Sequence, residues 1–166
     1  MLAGDRANRR AWVQAVRLYT VAATCLAIVL TAGAASAGSA TLTLGASTIH
    51  FPNADPDTSP AINATENPMS VLVRVTGNPG GSVQLTMLAA GDLLSGANVI
   101  AISAVRWTAQ GNGFVSGTLS RSTPQLMGQW AGNVYEQGTQ QFQLTNSWSY
   151  TTGAYTQTVL YTLVTL

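Results

Sequence analysis

The sequence predicts an all-β protein, an antiparallel β-sandwich of about seven to eight strands that follows a cleaved signal peptide. Short segments in which hydrophobic and polar residues alternate recur along residues 38–166, and this is the pattern of strands with one buried face. Turns rich in Gly, Pro and Asn separate them. No segment of ten or more residues there has the spacing of an amphipathic helix. Such strands fit a sandwich or a barrel, and we favour the sandwich.

The first 37 residues have the layout of a secretory signal peptide. Four arginines come first, an apolar run follows, and residues 35–37 (Ala-Ser-Ala) match the small-residue cleavage pattern. We therefore expect a mature chain that begins at Gly38 and forms a single domain over residues 38–166. The apolar run is shorter than the roughly 20 residues that span a bilayer, so a retained membrane anchor is only an alternative. A twin-arginine export signal at Arg9 and Arg10 is another.

Charge and cysteine content narrow the classes of partner. After residue 37 the chain has three arginines, five acidic residues and no lysine, which gives a net charge of −2. So few positive charges argue against a nucleic-acid partner and against a polybasic membrane-binding patch. The single cysteine, Cys25, lies in the predicted leader, so no disulfide is expected in the mature protein. We expect a protein that is secreted, extracellular or at the cell surface. In a Gram-negative cell it would pass through the periplasm.

The strands follow one another in a regular order. The first, residues 40–51, alternates at its start and is rich in Thr and Leu. Residues 69–76 and 82–88 each place three large apolar side chains on one face, and residues 98–109 do the same with a slip in phase. The remaining predicted strands are 114–119, 140–144 and 154–166. The predicted turns are residues 77–81, 91–98, 110–113, 131–138 and 151–153.

The last strand carries apolar side chains on both of its faces. Such a strand fits a position between two layers of a core, or a position covered by a partner. It therefore either completes its own sandwich or pairs with another chain. Its candidate contact residues are Tyr155, Val159, Leu160, Tyr161, Leu163, Val164 and Leu166.

Both ends of residues 38–166 resemble one family. The segment GAYTQTVLYTLVTL, in which Gly153 and Tyr155 lead into an alternating Thr/Val strand, resembles the end of spore coat protein U and related fimbrial subunits. The segment TLTLGASTIHF (41–51) resembles the first strand of that family and the Phe that ends it. The resemblance implies a secreted, immunoglobulin-like, pilin-like sandwich in bacteria. It also implies a non-enzymatic structural or adhesive role, with contacts through sheet edges to itself or to other surface or fimbrial subunits.

An enzyme is not expected. Nucleophilic catalysis needs a nucleophile, a base and a group that orients the base. After residue 37 the chain has one histidine, His50, and neither cysteine nor lysine. His50 alternates with Ile49 and Phe51, so we expect it on the solvent side of the first strand. Asp55 and Asp57 flank a proline, which is typical of a solvated turn.

One loop has a pattern of oxygen ligands. Asn53, Asp55 and Asp57 stand at alternate positions, which points their side chains toward one centre in an extended or turning loop. Oxygen ligands in a flexible loop suit calcium. A proline-stiffened connector between the first two strands explains the same residues. Calcium is therefore an alternative, and we expect no other cofactor.

Tryptophans suggest a different class of function. Aromatic side chains on a sandwich surface can stack against sugar rings, and they are also enriched at protein interfaces. Trp107 stands among Val and Ala on a strand and is expected in the core, whereas Trp130 and Trp148 stand beside turns. The alternative function is therefore a carbohydrate-binding module that uses exposed Trp and Tyr side chains, with Trp130 and Trp148 as the possible glycan platform.

Overall fold

A computed structural model describes residues 20–22, by their backbone, and residues 38–166. This part of the chain is built of antiparallel strands with a single turn of 3₁₀ helix, so the predicted all-β sandwich is confirmed. The predicted leader lies outside the described residues except for Thr20–Ala22, a short strand that pairs with Thr48–His50.

The strands are numbered in chain order. They are β1 (Thr20–Ala22), β2 (Ser39–Leu44), β3 (Thr48–His50), β4 (Ala61–Asn63), β5 (Met69–Thr76), β6 (Ser82–Ala89), β7 (Leu93–Ser95), β8 (Asn98–Ile100), β9 (Val105–Gln110), β10 (Gly117–Thr118), β11 (Gln125–Ala131), β12 (Val134–Thr145) and β13 (Val159–Thr165). A 3₁₀ turn at Ile102–Ala104 precedes β9.

Two sheets form the layers of the sandwich. The larger has the order β10-β9-β12-β5-β2, with β4 also paired to β12, and the smaller has the order β11-β6-β13. The pairs β1-β3 and β7-β8 form two further two-stranded sheets. Every pairing is antiparallel.

Alternation along the strands builds the core between the sheets. In β5 the side chains of Val71, Val73 and Val75 are buried, and in β6 the same is true of Val83 and Leu85. Each such side chain contributes about 1.5–3 kcal/mol when it leaves water. Larger residues of the same core are Trp107, Met127, Phe142, Leu144 and Tyr161. With no cysteine after residue 25, this packing and the ladder hydrogen bonds hold the domain.

The predicted turn at residues 131–138 is wrong. β11 runs to Ala131 and β12 begins at Val134, so the chain crosses from the smaller sheet to the larger one within two residues. Gly132 there has a φ of 70°, a conformation that favours glycine. The alternation of β12 continues through this stretch, with Val134 and Gly138 buried, but a glycine at an inward position hides the pattern in the sequence.

Two other segments differ from the prediction. Residues 91–98, expected to be one turn, contain the hairpin of β7 and β8, which turns at Gly96 with a φ of 59°. The phase slip within residues 98–109 corresponds to the 3₁₀ turn, which separates β8 from β9. The first predicted strand is also divided, into β2 and β3.

The strand directions bring four segments to one end of the sandwich. β12 ends beside the start of β9, and β6 ends beside the start of β13. We call this the loop end, and it contains residues 52–60, 90–104, 119–124 and 146–158. No helix in the described part of the chain is long and apolar enough to cross a membrane.

Candidate functional site

The outer edge of β2 is open in the described part of the chain. β5 is the one strand that pairs with β2 there, and the hydrogen bond from Gly45 N to Ser70 O (2.8 Å) sets the register. Because antiparallel residues alternate in the direction of their backbone groups, Ala40, Leu42 and Leu44 point their N–H and C=O away from β5. A row of outward backbone donors and acceptors can accept another strand.

The side chains of the same three residues leave the core partly uncovered. Ala40, Leu42 and Leu44 face inward and pack against the core, yet they are only half-buried. The inward side chains of β5, its neighbour, are buried at 0–2 % exposure. The core is therefore less well covered along β2 than one strand further into the sheet.

β13 forms the edge of the smaller sheet on this same side of the sandwich. It contacts β2 and pairs along its length with β6. Leu166, directly after β13, exchanges two backbone hydrogen bonds with Ser82 of β6 (2.8 and 2.9 Å), so the pairing continues to residue 166. β2 and β13 together form what we call the open side.

The predicted contact residues of the last strand divide into two groups. Four of them are buried in the core of their own domain and present no side chain to a partner: Tyr155, Val159, Tyr161 and Leu163. The other three face outward, with Leu160 39 % exposed, Leu166 68 % exposed and Val164 half-buried. A contact through this strand would therefore use its outward face and its backbone edge.

The opposite side of the sandwich is closed by the chain itself. Val115 N donates to Met127 O (2.8 Å) and Gln129 N donates to Gly113 O (3.0 Å), which ties the segment before β10 to β11. Phe114 packs edge-on against Trp130, with ring centroids 5.0 Å apart. The two sides therefore differ, because one is bridged by hydrogen bonds and the other is not bridged by any ladder among residues 38–166.

Two of the three predicted calcium ligands already accept hydrogen bonds. Asp55 Oδ1 accepts from Asp57 N (2.9 Å), which makes a tight turn at residues 55–57. Asp57 Oδ1 accepts from the indole N–H of Trp148 (2.9 Å). All three residues, including Asn53, are exposed. Within residues 38–166 no group of three His, Cys, Asp or Glu side chains could hold a metal ion, and calcium here stays a prediction.

The three tryptophans after residue 37 occupy different environments. Trp107 is buried, as predicted, and donates to Val115 O (2.8 Å). Trp130 is also buried, and its N–H donates to Asn112 O (2.8 Å). Trp148 is 58 % exposed at the loop end. Of the two candidate platforms, only Trp148 presents its ring to solvent.

His50 lies on the solvent side of β3, as predicted, but its partner could not be predicted from the sequence. Glu66 accepts from the backbone N–H of His50 at 2.7 Å, and its other oxygen lies 2.5 Å from the ring Nδ1. Partial burial would raise the pKa of Glu66, but these hydrogen bonds from His50 outweigh it and the pKa is lowered. The pair fastens β3 to the segment before β5.

A polar cleft at the loop end was also missed by sequence reasoning. It has a volume of about 440 Å³ and is lined by hydroxyl groups together with Asp92, Arg121 and Gln125. Asp92 accepts from Ile102 N (3.0 Å) and lies 3.4 Å from the Arg121 guanidinium. Because Asp92 already has these two partners, we assign it to holding the loops together.

Comparison with known proteins adds no family. No protein-family model matches the chain, and a search of curated proteins finds no significant match.

Proposed function

We propose that this chain is a non-enzymatic structural or adhesive protein, secreted or held at the cell surface, that makes contacts through its sheet edges. The observation that carries the proposal is the open edge of β2, where Ala40, Leu42 and Leu44 leave backbone groups outward and the core partly uncovered. An added strand would satisfy those groups and cover those side chains. The partner is a second copy of this chain or another surface or fimbrial subunit.

The surface chemistry supports the same function. Natural edge strands are often protected by lysine, proline or an inward charge. β2 has the sequence SATLTL, and the whole chain contains no lysine. Edge pairing therefore meets little electrostatic opposition, and the resemblance to spore coat protein U and fimbrial subunits points to the same use of an edge.

The experiment blocks the edge without touching the core. Thr41 and Thr43 are exposed on β2, and a double Thr→Lys variant there should abolish self-association in sedimentation velocity runs. Thr108, exposed on β9, gives the matched control, because β9 has a neighbouring strand on each side. Thr108→Lys should associate as the wild type does. Wild-type protein that stays monomeric at high concentration and captures no surface subunit from its own cells would contradict the proposal.

Export has its own test. We propose that the leader is removed near Gly38, on the basis of its charge, apolar run and small-residue cleavage pattern. The intact mass of the exported protein should match a chain that starts within a few residues of Gly38. Purified exported material that retains the leader would contradict this part of the proposal.

A further inference from the structure

We infer that the loop end carries a binding site for neutral pyranose sugars, formed by the exposed indole ring of Trp148 and the carboxylate of Asp57. This site goes beyond the proposed structural function, because it lies at the loop end and uses neither β2 nor β13. It would add recognition of a glycan to a protein whose edges make protein contacts.

The first step is that the exposed ring is held in place. Trp148 donates its indole N–H to Asp57 Oδ1 at 2.9 Å, although 58 % of the residue is exposed. A large apolar surface in water is unfavourable, and the described part of the chain leaves more than half of this residue uncovered. The hydrogen bond fixes one edge of the ring and leaves a face toward solvent.

One buried asparagine holds both loops in place. Asn146 is buried, and its Nδ2 donates to Ala54 O (3.1 Å) and Ser59 O (3.0 Å). Its Oδ1 accepts from Ser147 N (3.1 Å). One asparagine therefore joins the loop of Asp57 to the loop of Trp148. A ligand that binds a preorganised pair of loops loses less free energy to ordering them.

The groups around the ring define the class of ligand. A pyranose with equatorial hydroxyls has a face of C–H groups that packs on an aromatic ring, and hydroxyls at its rim that donate to oxygen acceptors. The exposed carboxylate of Asp57 supplies such an acceptor at the ring, and Asp55, two residues before it, is also exposed. The hydroxyls of Ser147 and Ser149, 2.8 Å apart, lie in the loop of Trp148. Two carboxylates would repel a uronic or sialic acid, so the ligand is a neutral sugar.

The experiment titrates the exported protein with cellohexaose and follows tryptophan fluorescence. Trp107 and Trp130 are buried, so a change in emission reports Trp148. We expect a saturable shift with cellohexaose and none with polygalacturonate. Trp148→Ala should weaken binding about tenfold or more, since it removes both the apolar face and the stacking interaction on which the sugar packs. Calorimetry gives the affinity of this variant, which lacks the fluorescent reporter.

Two further variants make the result specific. Tyr135 is 73 % exposed on β12 away from the loop end, so Tyr135→Ala is the matched control and should bind cellohexaose as the wild type does. Asp57→Ala should weaken binding several-fold, because it frees the ring and removes an acceptor. No shift with cellohexaose, or equal binding by Trp148→Ala, would overturn the site. So would a Trp148→Ala variant that loses self-association instead, which would assign the ring to a protein contact.

Discussion

Glu66 holds His50 at two points, through the backbone N–H (2.7 Å) and through the ring Nδ1 (2.5 Å). Thr65 N donates to the carbonyl of His50 (2.8 Å). The backbone N–H and C=O of His50 are therefore both hydrogen-bonded by residues 65 and 66. Because residues 50 and 66 are 16 positions apart, the contact closes the loop that carries Asp55 and Asp57. The carboxylate of Glu66 thus joins the two ends of this loop.

The Glu66 carboxylate should make the free energy of unfolding depend on pH. The pKa of Glu66 is lowered from its ordinary 4.5, because hydrogen bonds from His50 outweigh the effect of burial. A carboxyl with a depressed folded pKa contributes stability above its unfolded pKa and loses it as the pH falls through the folded value. We expect the free energy of unfolding, measured in urea, to fall below about pH 4.5, and to fall less in Glu66→Gln. Equal acid sensitivity in the two proteins would contradict this.

Gln140 is a buried amide that the core does not satisfy. It is 0 % exposed, and neither Oε1 nor Nε2 has a hydrogen-bond partner among the described residues. An unsatisfied buried polar group costs about 1–3 kcal/mol, so Gln140→Met, similar in shape, should raise the free energy of unfolding by about 1 kcal/mol. Gln141→Met, at the exposed neighbouring position, should change it by less than about 0.5 kcal/mol. Destabilisation by Gln140→Met would show that a bound water or another group satisfies the amide.

The two faces of β13 should respond differently to truncation. Leu163 is 3 % exposed in the core, and Leu163→Ala should cost about 2–5 kcal/mol in denaturant unfolding. Leu160 is 39 % exposed, and Leu160→Ala should cost less than about 1 kcal/mol. Removal of residues 155–166 should unfold the domain, because four of its core side chains lie there. A folded truncated protein would assign the strand to intersubunit contact alone.

Calcium should have little effect on the melting temperature. Asp55 and Asp57 each have one carboxylate oxygen engaged by a donor of the chain, so a cation would compete with existing hydrogen bonds. We expect millimolar calcium or chelator to leave the melting temperature almost unchanged. A rise of many degrees with calcium that disappears in Asp55→Asn would instead support the calcium site at Asn53, Asp55 and Asp57.

The sequence pattern predicted the strands in which one face is apolar without interruption. β5 and β6 were expected at residues 69–76 and 82–88 and lie at those positions, because each has an uninterrupted row of Val, Leu or Met on one face. β11 and the first half of β12 were missed. Gly128 and Gly138 occupy buried positions there, so the apolar row is broken in the sequence but not in the sheet. Position 138 requires glycine because its neighbours are too close for a side chain. An added Cβ would clash with Gln110 O and the Phe114 ring.

The sites depend on contacts between distant residues, which a single sequence does not contain. Trp148 and Asp57 are 91 positions apart, and Asn146 meets Ala54 and Ser59 across a similar distance. Each residue could be singled out by type, but nothing in the sequence pairs them. The same holds for the burial of Trp130, which follows from its packing against Phe114. The alternation of the last strand identified its two faces, but only the packing of the folded domain shows which face is core.

The open side and the loop end face different directions on the molecule. Strands added along β2 would extend the larger sheet sideways and leave residues 52–60 and 146–158 uncovered at its end. Any assembly formed through this edge would therefore display one Trp148 ring for each subunit. Weak binding by a single ring becomes avid when many are tethered at a high effective concentration. Edge pairing would in this way convert weak binding of one sugar into multivalent binding to a polysaccharide surface.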